Sequence, residues 1–193
     1  MDIEIRQEPI EILPEYAKIS IAFQIETVFV VEAIKNGLGG IIMREEKIEK
    51  PYRKNYDAIP GEGPASWPKQ WDISKWEIIS AFAGRKRIGG ALVAYDTPGL
   101  NFLDGRKDIA GLWDIRIDQE FRGCGVGSKL FQHAVICAQK KGCIFLKIET
   151  QNNNVSACKF YARQGCELGA INRHAYKELP DEAQLIWYKF IGE

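Results

Sequence analysis

Three glycines within five positions do most to limit what this chain can become. They fall in Arg122-Gly123-Cys124-Gly125-Val126-Gly127-Ser128. Before them, residues 111–117 read as a strand. After them, residues 128–141 carry Leu130, Phe131, Ala134, Val135, Cys137 and Ala138 at the spacing of one helix face. A strand that turns through glycines into a helix leaves the first helical amides without acceptors, and the missing side chains let an anion approach the backbone. The segment reads as a phosphate cradle in a mixed α/β protein, with a plain glycine-rich turn as the alternative.

Two cofactor chemistries use such a cradle. As a dinucleotide fingerprint the residues would be Gly123-x-Gly125-x-x-Ser128, which lacks the third glycine, with Glu149 after the next strand as the ribose partner. A Walker loop is excluded, because no Gly-Lys-Ser/Thr follows. As Arg122-x-x-Gly125-x-Gly127 after a strand, the segment resembles the pyrophosphate-binding motif of the GNAT acetyltransferases. Asn154-x-x-Ala157-x-x-x-Tyr161-x-x-x-Gly165 resembles that family's second cofactor segment. Glu149-Thr150-Gln151 with Asn154 to Tyr161, and the late Trp187-Tyr188-Lys189-Phe190, look particularly like streptothricin acetyltransferases.

The resemblance implies a GNAT fold, a twisted mixed sheet flanked by helices and splayed after the strand at 113–117, with acetyl-CoA in the splay. It implies one domain over 1–193, with a divergent part at 1–70 and a cofactor-binding core at 76–191. The expected cofactor contacts are Ile115, Arg116 and Ile117, where a backbone amide polarises the acetyl carbonyl; Arg122, Gly123, Cys124, Gly125, Val126, Gly127 and Ser128 at the pyrophosphate; and Asn154, Ala157 and Tyr161 along the second helix. Asn154 also suits a helix N-cap.

Acetyl transfer to an amine needs a base, because an alkylammonium of pKa near ~10.4 is almost wholly protonated at neutral pH. An acid that protonates the departing thiolate is useful too. By resemblance Tyr161 is that acid. Glu149, twelve residues before it, stands at the base-to-acid separation of the ribosomal-protein N-terminal acetyltransferases. Asp114 is the second candidate base, and a strand-end salt bridge is the plainer reading of Glu149. The expected acceptor is a primary amine of a small molecule, a streptothricin-like antibiotic first. A protein N-terminus or lysine is the alternative within the class; a non-catalytic acyl-CoA sensor and a dinucleotide oxidoreductase are alternatives outside it. Direct transfer requires no acetyl-enzyme, although Cys124 or Cys158 could be invoked for one.

Composition narrows the partners. Twenty-six basic residues balance twenty-six acidic ones, so no global field draws the chain to nucleic acid or an anionic membrane. The start is charged and alternating, no apolar run approaches the roughly 18 residues of a membrane span, and a cytoplasmic location is expected. Five cysteines without a C-x-x-C pair, and only His133 and His174 beside them, suggest reduced thiols and no metal.

Elsewhere, residues 3–6 and the alternating stretch 19–33 read as strands, a β-rich beginning that would pair with another subunit in a homodimer or extend the sheet. Residues 44–70, charged and then rich in proline and glycine, read as a long surface loop or lid. Residues 76–83 and 88–95 form a hairpin, 143–148 a buried strand, 154–164 a helix, and the C-terminal stretch one or two last strands. Trp67, Trp71, Trp76 and Trp113 read as core before pocket wall. Asp57, Glu62 and Asp104 read as surface charge, with reception of a polycation as the alternative.

Overall fold

A computed structural model describes residues 2–192. In chain order its main elements are β1 (Glu4–Glu8), α1 (Leu13–Tyr16), β2 (Phe23–Ala33), β3 (Ile41–Lys54), α2 (Trp67–Gln70), β4 (Glu77–Ala83), β5 (Lys86–Ala94) and β6 (Ile109–Ile117). They continue with α3 (Val126–Lys140), β7 (Phe145–Gln151), α4 (Val155–Arg163), β8 (Glu167–Asn172) and β9 (Gln184–Phe190). The chain forms two compact units, one of residues 2–22, 55–148 and 189–192, the other of Phe23–Lys54 and Glu149–Tyr188.

The first unit is built on a mixed sheet in which β1, β4, β5 and β6 are antiparallel neighbours and β6 pairs in parallel with the start of β7. Consecutive glycines on β5 let the two faces of this sheet be covered closely. A Cβ at Gly89 would meet Val126 and Leu130 of α3 at 3.2 Å, and one at Gly90 would meet the Tyr16 ring of α1 at 2.6 Å. Helix α3 buries Leu130, Phe131, Ala134, Cys137 and Ala138 as its periodicity predicts, each large apolar side chain contributing about 1.5–3 kcal/mol of transfer energy. Val135 is half-buried, at the margin of the stripe. The β6–β7 ladder stops at Leu112↔Ile148, and β6 beyond it remains paired with β5, which is the expected opening of the sheet.

Trp113 sits at that opening as the extra residue of a β-bulge, since Leu92 pairs with Asp114 while Val93 pairs with Leu112. Its ring packs against Trp71 at 5.0 Å, Trp76 at 5.4 Å, Phe102 at 5.8 Å and Trp67 at 6.3 Å. Trp67 and Trp76 are buried, so the core reading of the tryptophans holds for them, while Trp71 and Trp113 keep part of their surface.

The second unit contains the β2–β3 ribbon, the end of β7, α4 and the antiparallel pair β8–β9. Here the expectation of a loop over 44–70 is corrected. Residues up to Lys54 belong to the fourteen-residue strand β3, and the irregular part runs from Asn55 to the short helix α2. The misreading has a physical cause. Almost every residue of β3 is exposed, so its sequence Arg44-Glu45-Glu46-Lys47 shows no alternation of apolar and polar positions, although Thr27 Oγ1 donates to Glu45 and Arg44 pairs with Glu32 across the ribbon. The strand predicted from residue 19 begins instead at Phe23. Asn152 ties the unit together. Its backbone carbonyl accepts from Phe29 N at 2.8 Å, its side-chain Nδ2 donates to the Phe29 carbonyl at 2.9 Å, and its Oδ1 accepts from Ala183 N at 2.7 Å.

Candidate functional site

The cradle lies wholly in the first unit. Gly123 and Gly125 have φ of 77° and 82°, a left-handed conformation that costs a residue bearing a Cβ about 1–2 kcal/mol. A Cβ at either would meet nothing within 4 Å, so these glycines answer to backbone conformation and leave open space beside the loop. Gly125 is the N-cap of α3, and no acidic residue stands in the first helical turn to neutralise the positive helix end. Open approach and a helix terminus with no carboxylate in its first turn fit a pyrophosphate. Arg122 ties the loop down, its Nη2 donating to the Ala22 carbonyl at 2.8 Å and its Nε to the Ile117 carbonyl at 3.2 Å. Cys124 is exposed on the same loop.

Upstream, Asp118 N donates to the Ile88 carbonyl at 2.9 Å. Antiparallel alternation then turns the Arg116 amide toward β5 and the Ile115 and Ile117 amides away from it, on the open edge of β6. Of the three residues expected near the acetyl carbonyl, Ile115 and Ile117 have amides on that edge. The Arg116 side chain serves otherwise. It is 2% exposed and donates to Asp114 Oδ2 (2.7 Å from Nε), to both Asp57 oxygens (2.9 and 3.2 Å) and to the Ile19 carbonyl at 3.0 Å, with its guanidinium over the Tyr16 ring. Burial opposes its charge, but Asp114, Tyr16 and Asp57 more than offset this and raise its pKa. Asp114 moves the other way from an ordinary carboxylate: burial pushes its pKa up, against the pull of Arg116. Asp114 Oδ1 and the Tyr16 hydroxyl are buried and act on each other, and neither meets another hydrogen-bond partner among the described residues. Asp57 is thus a structural anchor of the irregular segment, a role its position in a loop did not announce.

In the second unit Glu149 is held by neutral donors. The Tyr176 hydroxyl donates to Oε1 at 2.6 Å and Gln184 Nε2 to Oε2 at 2.7 Å, while Gln151 Nε2 donates to the Tyr176 oxygen at 3.0 Å. The strand-end salt bridge considered for Glu149 is replaced by this uncharged cage. Burial, then the Glu149 charge, raises the Tyr176 pKa, so its phenol stays protonated. Asn154 is the N-cap of α4, its Oδ1 accepting from Ala157 N at 3.2 Å, and Gly165 follows the helix with φ of 74°. Tyr161, 5% exposed, lies on the buried face of α4 with its ring edge-on to Phe160 at 5.1 Å. Cys158 is buried beside Thr150 and its thiol is pushed up to about 11 by burial, the opposite of what a nucleophilic cysteine needs. Tyr16, Tyr176, Gln184 and Asn152 were not singled out from the sequence. Tyr176 and Gln184 stand in a polar stretch with neither periodicity nor a spacing signal.

The sequence model of the acetyltransferase (GNAT) family matches residues 48–166, more than half of the chain. Streptothricin acetyltransferase of Escherichia coli is 36% identical over 89 residues, 45% of this chain and 51% of that protein, so the chain spans about half the length of that relative in the match. Streptothricin acetyltransferase A of Bacillus subtilis (strain 168) is 29% identical over 167 residues, 82% of this chain and 83% of that one. Among solved structures, a Bacillus anthracis str. Ames protein assigned as a streptothricin acetyltransferase, in complex with acetyl coenzyme A, superposes with a TM-score of 0.74 at 25% identity, covering 98% of this chain and 99% of that one. With the glycine cradle at the N-terminus of α3 and the sheet opening at β6, these likenesses establish that the chain belongs to the GNAT family of acetyl-CoA-dependent N-acetyltransferases.

Proposed function

We propose that this protein transfers the acetyl group of acetyl-CoA directly to a primary amine of a small molecule, with a streptothricin-type antibiotic as the substrate class. The observation that carries the cofactor half is the open, positive-φ pair Gly123 and Gly125 capping a helix whose first turn has no carboxylate. The likeness to Bacillus subtilis streptothricin acetyltransferase A over 82% of the chain supports the acceptor half. A cytoplasmic setting and a single functional domain belong to the same reading.

Acetyl-CoA supplies the acyl group and a thiolate leaving group. In this reading the amides of residues 123–128 hold the pyrophosphate, and the Ile115 or Ile117 amide polarises the acyl oxygen. Asn154 and Ala157, at the start of α4, border the pantetheine arm. Glu149 takes the proton from the incoming ammonium, and Tyr161 returns one to the departing sulfur. Asp114 is the second candidate base, because Arg116 donates to its Oδ2 and leaves Oδ1 to the Tyr16 hydroxyl.

Calorimetric titration with acetyl-CoA, beside NAD and beside Gly125→Asp, tests the cofactor half. Stoichiometric binding of acetyl-CoA alone is expected. The variant should weaken it at least about 100-fold, as loss of two charge-assisted amide contacts would. Preference for NAD, or equal binding by the variant, would refute the assignment. Acetylation of streptothricin, scored against lysine and an N-terminal peptide, tests the acceptor.

A further inference from the structure

We infer that Tyr176 is a positioning residue that holds Glu149 as a proton acceptor, a role that rests on the reading of Glu149 as the base. The argument is one of donors and acceptors. A tyrosine hydroxyl has a single proton, and an uncharged carboxamide nitrogen can only donate. Gln151 Nε2 donates to the Tyr176 oxygen at 3.0 Å, and the Tyr176 proton is therefore directed to the nearest acceptor, Glu149 Oε1 at 2.6 Å. Gln184 Nε2 donates to Oε2 at 2.7 Å. The donors converge, Gln151 → Tyr176 → Glu149 ← Gln184, on a carboxylate that accepts at both oxygens.

The consequences follow from lone-pair counting. Each carboxylate oxygen offers about two acceptor directions. One on each oxygen is used by the cage, which fixes the plane of the group, and one on each remains to receive a proton. The two donors of the cage are a phenol and a carboxamide, so the carboxylate is oriented by neutral groups. Glu182, a second carboxylate whose charge acts on Tyr176, is itself paired with Lys54, which keeps that negative charge compensated in this part of the unit. Tyr176 lies in the segment between β8 and β9, outside both segments that resemble the family's cofactor motifs.

The test is a double-mutant cycle of Tyr176→Phe and Glu149→Gln, read as kcat for streptothricin at saturating acetyl-CoA. Tyr176→Phe should lower kcat about tenfold, the worth of one hydrogen bond to a charged group, with the KM for acetyl-CoA unchanged. In the Glu149→Gln background the same substitution should have no further effect. An equal loss in both backgrounds would mean that Tyr176 acts structurally, and unchanged kcat in Tyr176→Phe with low kcat in Glu149→Gln would overturn the inference while sparing the base. Full activity in Glu149→Gln would remove the base itself and the inference with it. Independently of any acceptor, the 13C carboxyl resonance of Glu149, identified by its absence in Glu149→Gln, should move in Tyr176→Phe; an unmoved resonance counts against the hydrogen bond.

Discussion

Asp114 and Glu149 are both carboxylates on strands of the same fold, and their surroundings are opposite. Asp114 in the first unit is clamped by the buried guanidinium of Arg116, which also gathers Asp57 and the Ile19 carbonyl. Glu149 in the second unit accepts, among the described residues, from a phenol and a carboxamide. A carboxylate paired with a buried cation is coupled to the stability of its unit, because removing either partner leaves a charge in a medium that penalises it. A carboxylate held by neutral groups can change its charge with less disturbance of its neighbours. In the proposed reading, this contrast gives Asp114 mainly a structural role and Glu149 the proton transfer.

The largest effect that can sharpen this contrast is on turnover. Glu149→Gln should reduce kcat about 10³-fold, as removal of a general base does, while changing stability by less than about 1 kcal/mol. Steady-state kinetics beside urea unfolding separates the two quantities, and a stability loss as large as the kinetic one would break the contrast. Next comes Asp114→Asn, which should cost about 3 kcal/mol of stability, the low end for a broken buried pair because Asp57 still faces Arg116. Its kcat, measured well below the melting transition, should stay within about threefold of the parent, a change of under 1 kcal/mol in barrier; a 10³-fold fall would move the base to Asp114. The smallest expected change is Tyr161→Phe, about 10- to 100-fold in kcat, at the lower edge of what general acid catalysis contributes because a thiolate is a fair leaving group without help. Unchanged turnover would assign Tyr161 to packing against Phe160.

Legibility followed burial and backbone. Helix α3, the glycine loop, β5 and α4 were visible because each has a period or a conformational demand that only certain residues meet. Strand β3 was not, because a ribbon exposed along nearly its whole length has no apolar face to print a period of two into the sequence. The same distinction separates the candidate cradle of the first unit from the Glu149 cage of the second. The cradle is made of main chain, so its residues declare themselves by the side chains they lack. The Glu149 cage is made of side chains drawn from β7, from the segment after β8 and from β9, and the Arg116 cluster joins residues as far apart as Ile19, Asp57 and Asp114.

By itself the sequence determined the mixed α/β class and the place of the glycine turn before α3, and it offered the carboxylate and phenol proposed for proton transfer, since these depend on local backbone preference and residue chemistry. Only the tertiary structure decided which carboxylate is clamped by a cation and which is left among neutral donors. A hydrogen bond between residues 27 positions apart, such as Tyr176 to Glu149, is specified by how strands and connecting segments pack, and no local pattern encodes it.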